Sequence, residues 1–428
     1  MEQASAYQRT LGILVLFTLA AGDFWRYLLS WWGWGALTAI LLGLVVIELI
    51  RARVSPRRLP LSLLAFVALT FASIAWSAYP LETTIAAVTT AATVTAGVFV
   101  AACFTWDDVR GMMTAALRWI IGLSLAFELF VSVVIRERVL PIWVDWSDLE
   151  KVPASFYWSR NLLLDGGRIQ GIVGNANLLG MIAVIALAVF GVRLITREGS
   201  PLWGWIWFAA AAGTVALTRS STALASLVGM VLVVVYLMVL RSVPAGRRIA
   251  VHLGAAGFAA VIVAAVLAFR GPILNLLGKS SDLTYRFDIW DTVWQLASER
   301  PATGWGWISY WAPWVEPYSG LIEIRGVTYL QAHNAWLDVF LQLGIIGLVV
   351  FGALVLSTAA RSWLLAIGTG DRPWARALPL VLLVALIVQS LAESRLLLEI
   401  GLTLLVIISI ATTWTTDRAS APRGDRER

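Results

Sequence analysis

Twelve runs of apolar residues follow one another through this chain, most with only a short connection before the next. A helix needs ~20 apolar residues to cross the hydrocarbon core, and in lipid the backbone can satisfy its polar groups only as a helix or a closed barrel. The runs lie near 11–31, 34–50, 61–78, 83–104, 113–135, 177–192, 202–217, 221–240, 249–269, 334–357, 377–393 and 398–414. Composition agrees: 59% of the 428 residues are hydrophobic and 14% charged, whereas a water-facing surface calls for roughly a quarter charged. The expected fold class is therefore an all-α integral membrane protein with about twelve transmembrane helices. The first run is expected as a span rather than a cleaved signal, because Thr18-Leu19-Ala20 is a poor small-x-small site.

Arginine placement orients the spans. Alternate connections carry Arg51, Arg53, Arg57 and Arg58; Arg110; Arg193 and Arg197; Arg241, Arg247 and Arg248; and Arg361, Arg372 and Arg376. The tail adds Arg418, Arg423, Arg426 and Arg428, while the turns at 79–82, 218–220 and 394–397 are nearly free of arginine. The positive-inside rule then places both termini in the cytoplasm. The chain divides into a five-helix part (1–135), a first outer loop (136–176) and spans six to nine (177–269). A large outer loop with an amphipathic helix (270–333), the last three spans (334–414) and a basic cytoplasmic tail (415–428) complete it. The net charge of +6 accordingly reports topology, and no nucleic-acid partner is expected. One cysteine, Cys103, and two histidines, His252 and His333, exclude a disulfide framework and a multi-histidine zinc or iron site. No cofactor is expected.

The two outer loops hold the unusual residues. Both are rich in aromatics, such as Trp143, Trp146 and Trp158 in the first and Trp290, Trp294 and Trp305 in the second, which suits loops lying at headgroup depth among membrane lipids. Arg219 sits in a tight turn between two spans, with no acid nearby in sequence. A cation at membrane depth is costly and usually faces protein or a water-filled cavity, although it can snorkel to lipid phosphate. Arg286 opens a helix whose apolar positions include Phe287, Trp290, Val293 and Trp294, and which Pro301 and Gly304 stop. It lies on the apolar side, placed for a lipid phosphate or for a salt bridge to Asp282 or Glu299. His333 begins the segment that re-enters the membrane; an imidazole suits proton transfer near neutrality, but can equally cap a helix. His252 reads as structural. Glu128 lies inside the fifth span, where it either serves a function or pairs with a neighbouring helix. The Gly166-Gly167-Arg168 stretch follows no strand, which excludes a dinucleotide site.

Arg168 with Gly171 and Asn177, Arg219 in its short turn, Arg286…Trp290…Pro301…Gly304-Trp305-Gly306, and His333-Asn334 before Leu343-Gly344-Ile345-Ile346-Gly347 form a series. In order, spacing and sidedness it resembles the O-antigen ligase and Wzy-type polymerase superfamily over roughly residues 160–400. The resemblance implies a GT-C-like bacterial membrane glycosyltransferase of cell-envelope and lipopolysaccharide biosynthesis, in the cytoplasmic (inner) membrane with its active site facing outward. It implies transfer of a glycan from undecaprenyl diphosphate to a hydroxyl of a glycolipid or glycan acceptor, without metal or nucleotide sugar. Arg219 and Arg286 would hold the diphosphate and His333 would act on the acceptor, with Arg168, Asn177 and Asn334 supporting substrate binding. In the stretch where ligases carry further basic residues, this chain has only Arg300 and Arg325.

The chemistry of the residues agrees. Cleaving a sugar–diphosphate bond leaves an anion that fixed cations can stabilise, and a direct single displacement inverts the anomeric centre. No paired carboxylates in one segment point to a retaining double displacement. A Wzy-type polymerase using the same donor remains the alternative. Two other classes stay open: a transporter built on Glu128, although no internal repeat is visible, and a non-catalytic scaffold of a glycan-export complex.

Overall fold

The computed structural model describes residues 4–146, 152–268, 280–324, 326–368 and 370–420. Arg325, Arg423, Arg426, Arg428 and the opening of the large loop (270–279) lie outside the described residues. Thirteen helices are described: α1 (Ala6–Ala20), α2 (Gly22–Arg51), α3 (Leu61–Ala72), α4 (Pro80–Ala102), α5 (Trp106–Phe130), α6 (Ala176–Ile195) and α7 (Pro201–Thr218). They continue as α8 (Ser221–Ser242), α9 (Arg248–Ala268), α10 (Ser280–Glu299), α11 (Ala335–Ile367), α12 (Pro373–Ser390) and α13 (Glu399–Ser420). Eight of these, α2, α4, α5 with its extension to Ile135, α6, α7, α8, α11 and α12, are long and apolar enough to cross a membrane. The apolar helices α1, α3 and α13 are shorter. Every apolar run carries a helix, and α10 is the extra one within the large loop. Strand pairing among the described residues is confined to a minimal antiparallel hairpin, β1 (Glu323–Ile324) with β2 (Val327–Thr328), and an isolated bridge between Val139 and Ser159.

The first two helices divide at a different point from the expected one near residue 32. The break is at Ala21 (φ −126°, ψ 44°), and α2 is kinked at Ser30 (φ 68°). Asp23 and Arg26 pair just after the break, with Arg26 3.7 Å from Glu399 and its guanidinium 5.0 Å from the Trp31 ring. Phe24, Trp25, Leu28 and Leu29 keep the mean hydropathy high across this polar turn, so an apolar count runs straight through it.

The centre of the bundle is α6, buried along most of its length and packed on α5, α7, α8 and α12. Between spans in lipid, association depends on close van der Waals fit, which small residues permit. Gly180 shows this: a Cβ there would stand 2.9 Å from both the Ala223 methyl and the Thr218 hydroxyl, so α6 lies directly against the α7–α8 turn.

Connections segregate to two ends. At the arginine-rich end, Arg9 pairs with Asp108 (2.9 Å), Arg110 with Asp107 and Glu198 (2.6 Å each) and Arg372 with Asp107 (2.9 Å), and Trp414 Nε1 donates to the Arg58 carbonyl (2.8 Å). At the opposite end the first outer loop, the α7–α8 turn, the large loop and the α12–α13 connection meet. There α11 is broken at Gly344 (φ 64°, ψ −160°). The Pro301–Gly306 stretch fills the break: Ile345 N–H donates to the Pro301 carbonyl (2.8 Å), Trp305 N–H to Leu341 (3.0 Å) and Gly306 N–H to Gln342 (2.9 Å). A Cβ on Gly344 would be 2.3 Å from the Ala302 carbonyl oxygen. Two backbones in contact thus exchange the hydrogen bonds that a broken helix would otherwise lack.

Candidate functional site

The large loop re-enters the bundle through His333, whose φ of 51° turns the chain just before α11. Asn334 caps this helix, its side-chain oxygen accepting from the N–H groups of Trp336 (3.1 Å) and Leu337 (3.2 Å). One turn on, the fully buried Asp338 accepts from Ala332 N–H (3.0 Å), Trp311 Nε1 (2.9 Å) and the Ser394 hydroxyl. A single carboxylate therefore ties the residue before His333 to the residue after Glu393.

Those two neighbours meet. His333 Nδ1 lies 2.8 Å from Glu393 Oε2. Glu393 Oε1 accepts from Arg286 (2.8 Å), reaching in from α10, and from the Asn177 side-chain amide (2.9 Å) at the start of α6. Asn177 in turn accepts from Arg168 (2.7 Å) and from the Ser220 hydroxyl (2.9 Å), while Arg168 Nε donates to the Thr218 carbonyl (3.1 Å). Glu393 is 4% exposed. Burial works to raise its pKa, but the charge and hydrogen bond of His333 and the charges of Arg286 and Arg395 outweigh it, and the carboxyl is held down at about 2. As an ionised acceptor it keeps the proton of a neutral His333 on Nδ1, which leaves the Nε2 lone pair available.

A cleft of about 300 Å³ opens beside this network, with Arg160, Arg168, Asn177, Arg286, Tyr329 and His333 among its lining residues. Four of the residues singled out from the sequence, His333, Arg286, Arg168 and Asn177, thus share one connected cluster. Arg219 closes α7 in a left-handed conformation (φ 45°), between the Thr218 and Ser220 members of the network. Its guanidinium lies over the first outer loop, 3.5 Å from where a Cβ on Gly166 would be, and it is not among the residues lining the cleft. Asn334 does not line the cleft either; its side chain is taken up in the cap.

Glu393, which joins the cluster, was visible in the sequence only as an acid at a helix end, and Arg160 and Asp338 carried no signal that set them apart. Arg286 reaches a carboxylate distant in sequence rather than Glu299 on its own helix. Glu128, near the end of α5, is fully buried and accepts from the Ser159 hydroxyl (2.8 Å) and from the N–H groups of Gln170 (2.8 Å) and Gly171 (2.7 Å). Through these bonds it anchors the first outer loop. His252, at the arginine-rich end, bonds the Tyr236 hydroxyl and packs near Trp363.

The family model described as O-Antigen ligase, Wzy_C, matches residues 206–352. The match takes in Arg219, Arg286, His333 and Asn334, and it bears out the family resemblance over about a third of the chain. No curated protein matches the chain.

Proposed function

From the O-antigen ligase match over residues 206–352, we propose that the chain is a lipid-diphosphate-dependent glycosyltransferase of the ligase type. It moves a glycan from undecaprenyl diphosphate to an acceptor hydroxyl on the outer face of the cytoplasmic membrane. The observation that carries this reading is one buried carboxylate, Glu393, gripping both His333 and Arg286 at the edge of a cationic cleft. Sidedness supports it: the cluster lies at the end opposite the arginine-rich connections, which the positive-inside rule assigns to the cytoplasm.

In the proposed reaction the acceptor oxygen attacks the anomeric carbon as the bond from that carbon to the diphosphate oxygen breaks. The new glycosidic bond forms with inversion, and the electron pair leaves on undecaprenyl diphosphate. His333 Nε2 takes the hydroxyl proton, a contribution of roughly 10²–10⁴-fold for a positioned base, while Glu393 holds the ring and stabilises the imidazolium. Arg286 faces the leaving group from the cleft wall, whereas Arg219, expected to share this task, lies over the first outer loop outside the cleft lining; a charge pair ~4 Å apart gains at most roughly 4 kcal/mol at an effective dielectric near 20. An apolar cavity of about 500 Å³ between α1, α2, α4 and α13 supports a lipid-linked substrate. Tyr310 lines that cavity and accepts a hydrogen bond from Arg395 (2.8 Å), which itself borders a small void shared with His333 and Glu393.

The test is reconstitution with an undecaprenyl-diphosphate oligosaccharide and candidate acceptors in the presence of a chelator. Transfer should occur in the wild type and be abolished in His333→Ala and Arg286→Ala. Wild-type turnover in either folded variant would reject the role assigned to that residue. Surface glycans of a deletion strain separate the two acceptor types: long carrier-bound chains left unattached mark a ligase, and single repeat units mark a polymerase.

A further inference from the structure

One cation within the spanning part of the bundle has no part in the proposed transfer. Arg118 lies on α5, inside a segment long and apolar enough to cross the membrane. It sits about 12 Å deeper than Arg110, at 1.5 Å per residue. An ionisable residue at such depth is costly and as a rule meets an anion. Among the described residues the Arg118 side chain makes no ion pair and no hydrogen bond. Its Nε is enclosed without a partner, while the terminal nitrogens stay open to a ligand. What it touches is aromatic: the guanidinium carbon is 5.9 Å from the ring centre of Phe190 on α6 and 5.8 Å from that of Trp207 on α7.

Three helices shape this position. Gly122, one turn along the same face of α5, lets Trp207 lean over that helix, and a Cβ there would stand 3.2 Å from the ring. Trp119, next to Arg118, and Trp205 on α7 are exposed, as tryptophans at headgroup depth are. The charge acting on Arg118 is another cation, Arg193 near the end of α6. Glu198 lies 3.7 Å from Arg193 but is held by Arg110 at 2.6 Å. Arg110 also takes Asp107 (2.6 Å), which Arg372 shares (2.9 Å). Four arginines, Arg110, Arg118, Arg193 and Arg372, thus meet two carboxylates, Asp107 and Glu198, an excess of two positive charges among the described residues. The Arg9–Asp108 pair at the same end cancels itself.

We propose that Arg118 and Arg193, walled by the Phe190 and Trp207 rings, hold the phosphate of an anionic phospholipid in the cytoplasmic leaflet. The side follows from the arginine-rich connections at this end, and basic pockets between spanning helices on that side suit such headgroups. A guanidinium fork meets two phosphate oxygens at once. A zwitterionic lipid would bring an ammonium group to a region already in excess of cations; an anionic one brings phosphate without it. The exposed tryptophans make this a lipid-facing surface, so the phosphate is a headgroup rather than a soluble ion. Bound there, the lipid bridges α5, α6 and α7, whose opposite ends carry Glu128, Asn177 and Arg219. The site stands whether or not the chain transfers glycans.

Two measurements on the full-length protein test it. In the first, protein in detergent receives equal amounts of dioleoylphosphatidylglycerol and dioleoylphosphatidylethanolamine, and retained lipid is counted by native mass spectrometry. The wild type should keep phosphatidylglycerol preferentially, and Arg118→Gln should lower the retained fraction about tenfold, the scale of a lost charge-assisted hydrogen bond. Arg57→Gln, which removes an exposed arginine at the same end, should leave it unaltered. Equal retention by the wild type and Arg118→Gln, or an equal loss in Arg57→Gln, overturns the proposal. The second needs no variant: phosphatidylglycerol with a diazirine near the head of one acyl chain is photo-crosslinked, and adducts are mapped by mass spectrometry. They should concentrate on α5 and α7 around Trp119 and Trp205. An even spread over the helix ends on that side, or equal labelling by the matching phosphatidylethanolamine probe, sinks the site.

Discussion

Glu393 has more to do than its neighbours because each of its oxygens has a separate duty, Oε2 for His333 and Oε1 for Arg286 and Asn177. An amide in its place keeps one acceptor but turns an N–H₂ group towards a donor, so one partner must swing away. Glu393→Gln should therefore lower the transfer rate by ~10²-fold or more, the scale of a mispositioned general base. The check is turnover of a lipid-linked oligosaccharide by protein whose elution on size-exclusion matches the wild type. The same carboxyl makes a pH-dependent contribution to stability. Its pKa falls from 4.5 to about 2 on folding, so the contribution, about 3 kcal/mol, is complete above the unfolded value. It fades as pH drops through the folded one. The thermal-stability advantage of wild type over Glu393→Gln should thus shrink between pH 4.5 and 2, and an advantage constant across that window would contradict the assignment.

At the scale of elements, the cluster is placed by a helix that does not run straight. The break in α11 at Gly344 receives the Pro301–Gly306 stretch, and that docking sets where the large loop ends and hence where His333 enters. Gly344 has both a positive φ and a neighbouring carbonyl at 2.3 Å from any Cβ. Gly344→Ala should cost ~1–3 kcal/mol from the backbone alone, with the steric conflict in addition. Differential scanning fluorimetry in detergent should show a lowered Tm, and an unaltered Tm would mean that the two segments are not held together by this contact. The glycines of Leu343-Gly344-Ile345-Ile346-Gly347 were readable in the sequence. What filled the break was not, because its donors and acceptors are backbone groups that every residue has.

The whole molecule has two chemically different ends, one laced by arginine–carboxylate pairs and one holding the cleft. If the cleft end faces outward, an impermeant maleimide should label Ser155→Cys in intact spheroplasts and leave Ala245→Cys unlabelled until the membrane is opened, both in a Cys103→Ser background. The reverse pattern would invert the orientation. The twelve apolar runs, their alternating charge and the isolated residues Arg219, Arg286 and His333 were legible in the linear sequence. Hydropathy and net charge are sums over neighbouring residues, which a sequence states directly. The first helix boundary was misread for the same reason, since Asp23 and Arg26 are lost in an aromatic average. That Glu393 joins His333, Arg286 and Asn177, that Asp338 ties residues 332 and 394 together, and that Arg160 reaches the cleft were decided only by the tertiary structure. Each depends on distance and direction between segments far apart in the chain, and hydrogen bonds of about 3 Å have no counterpart in the order of residues.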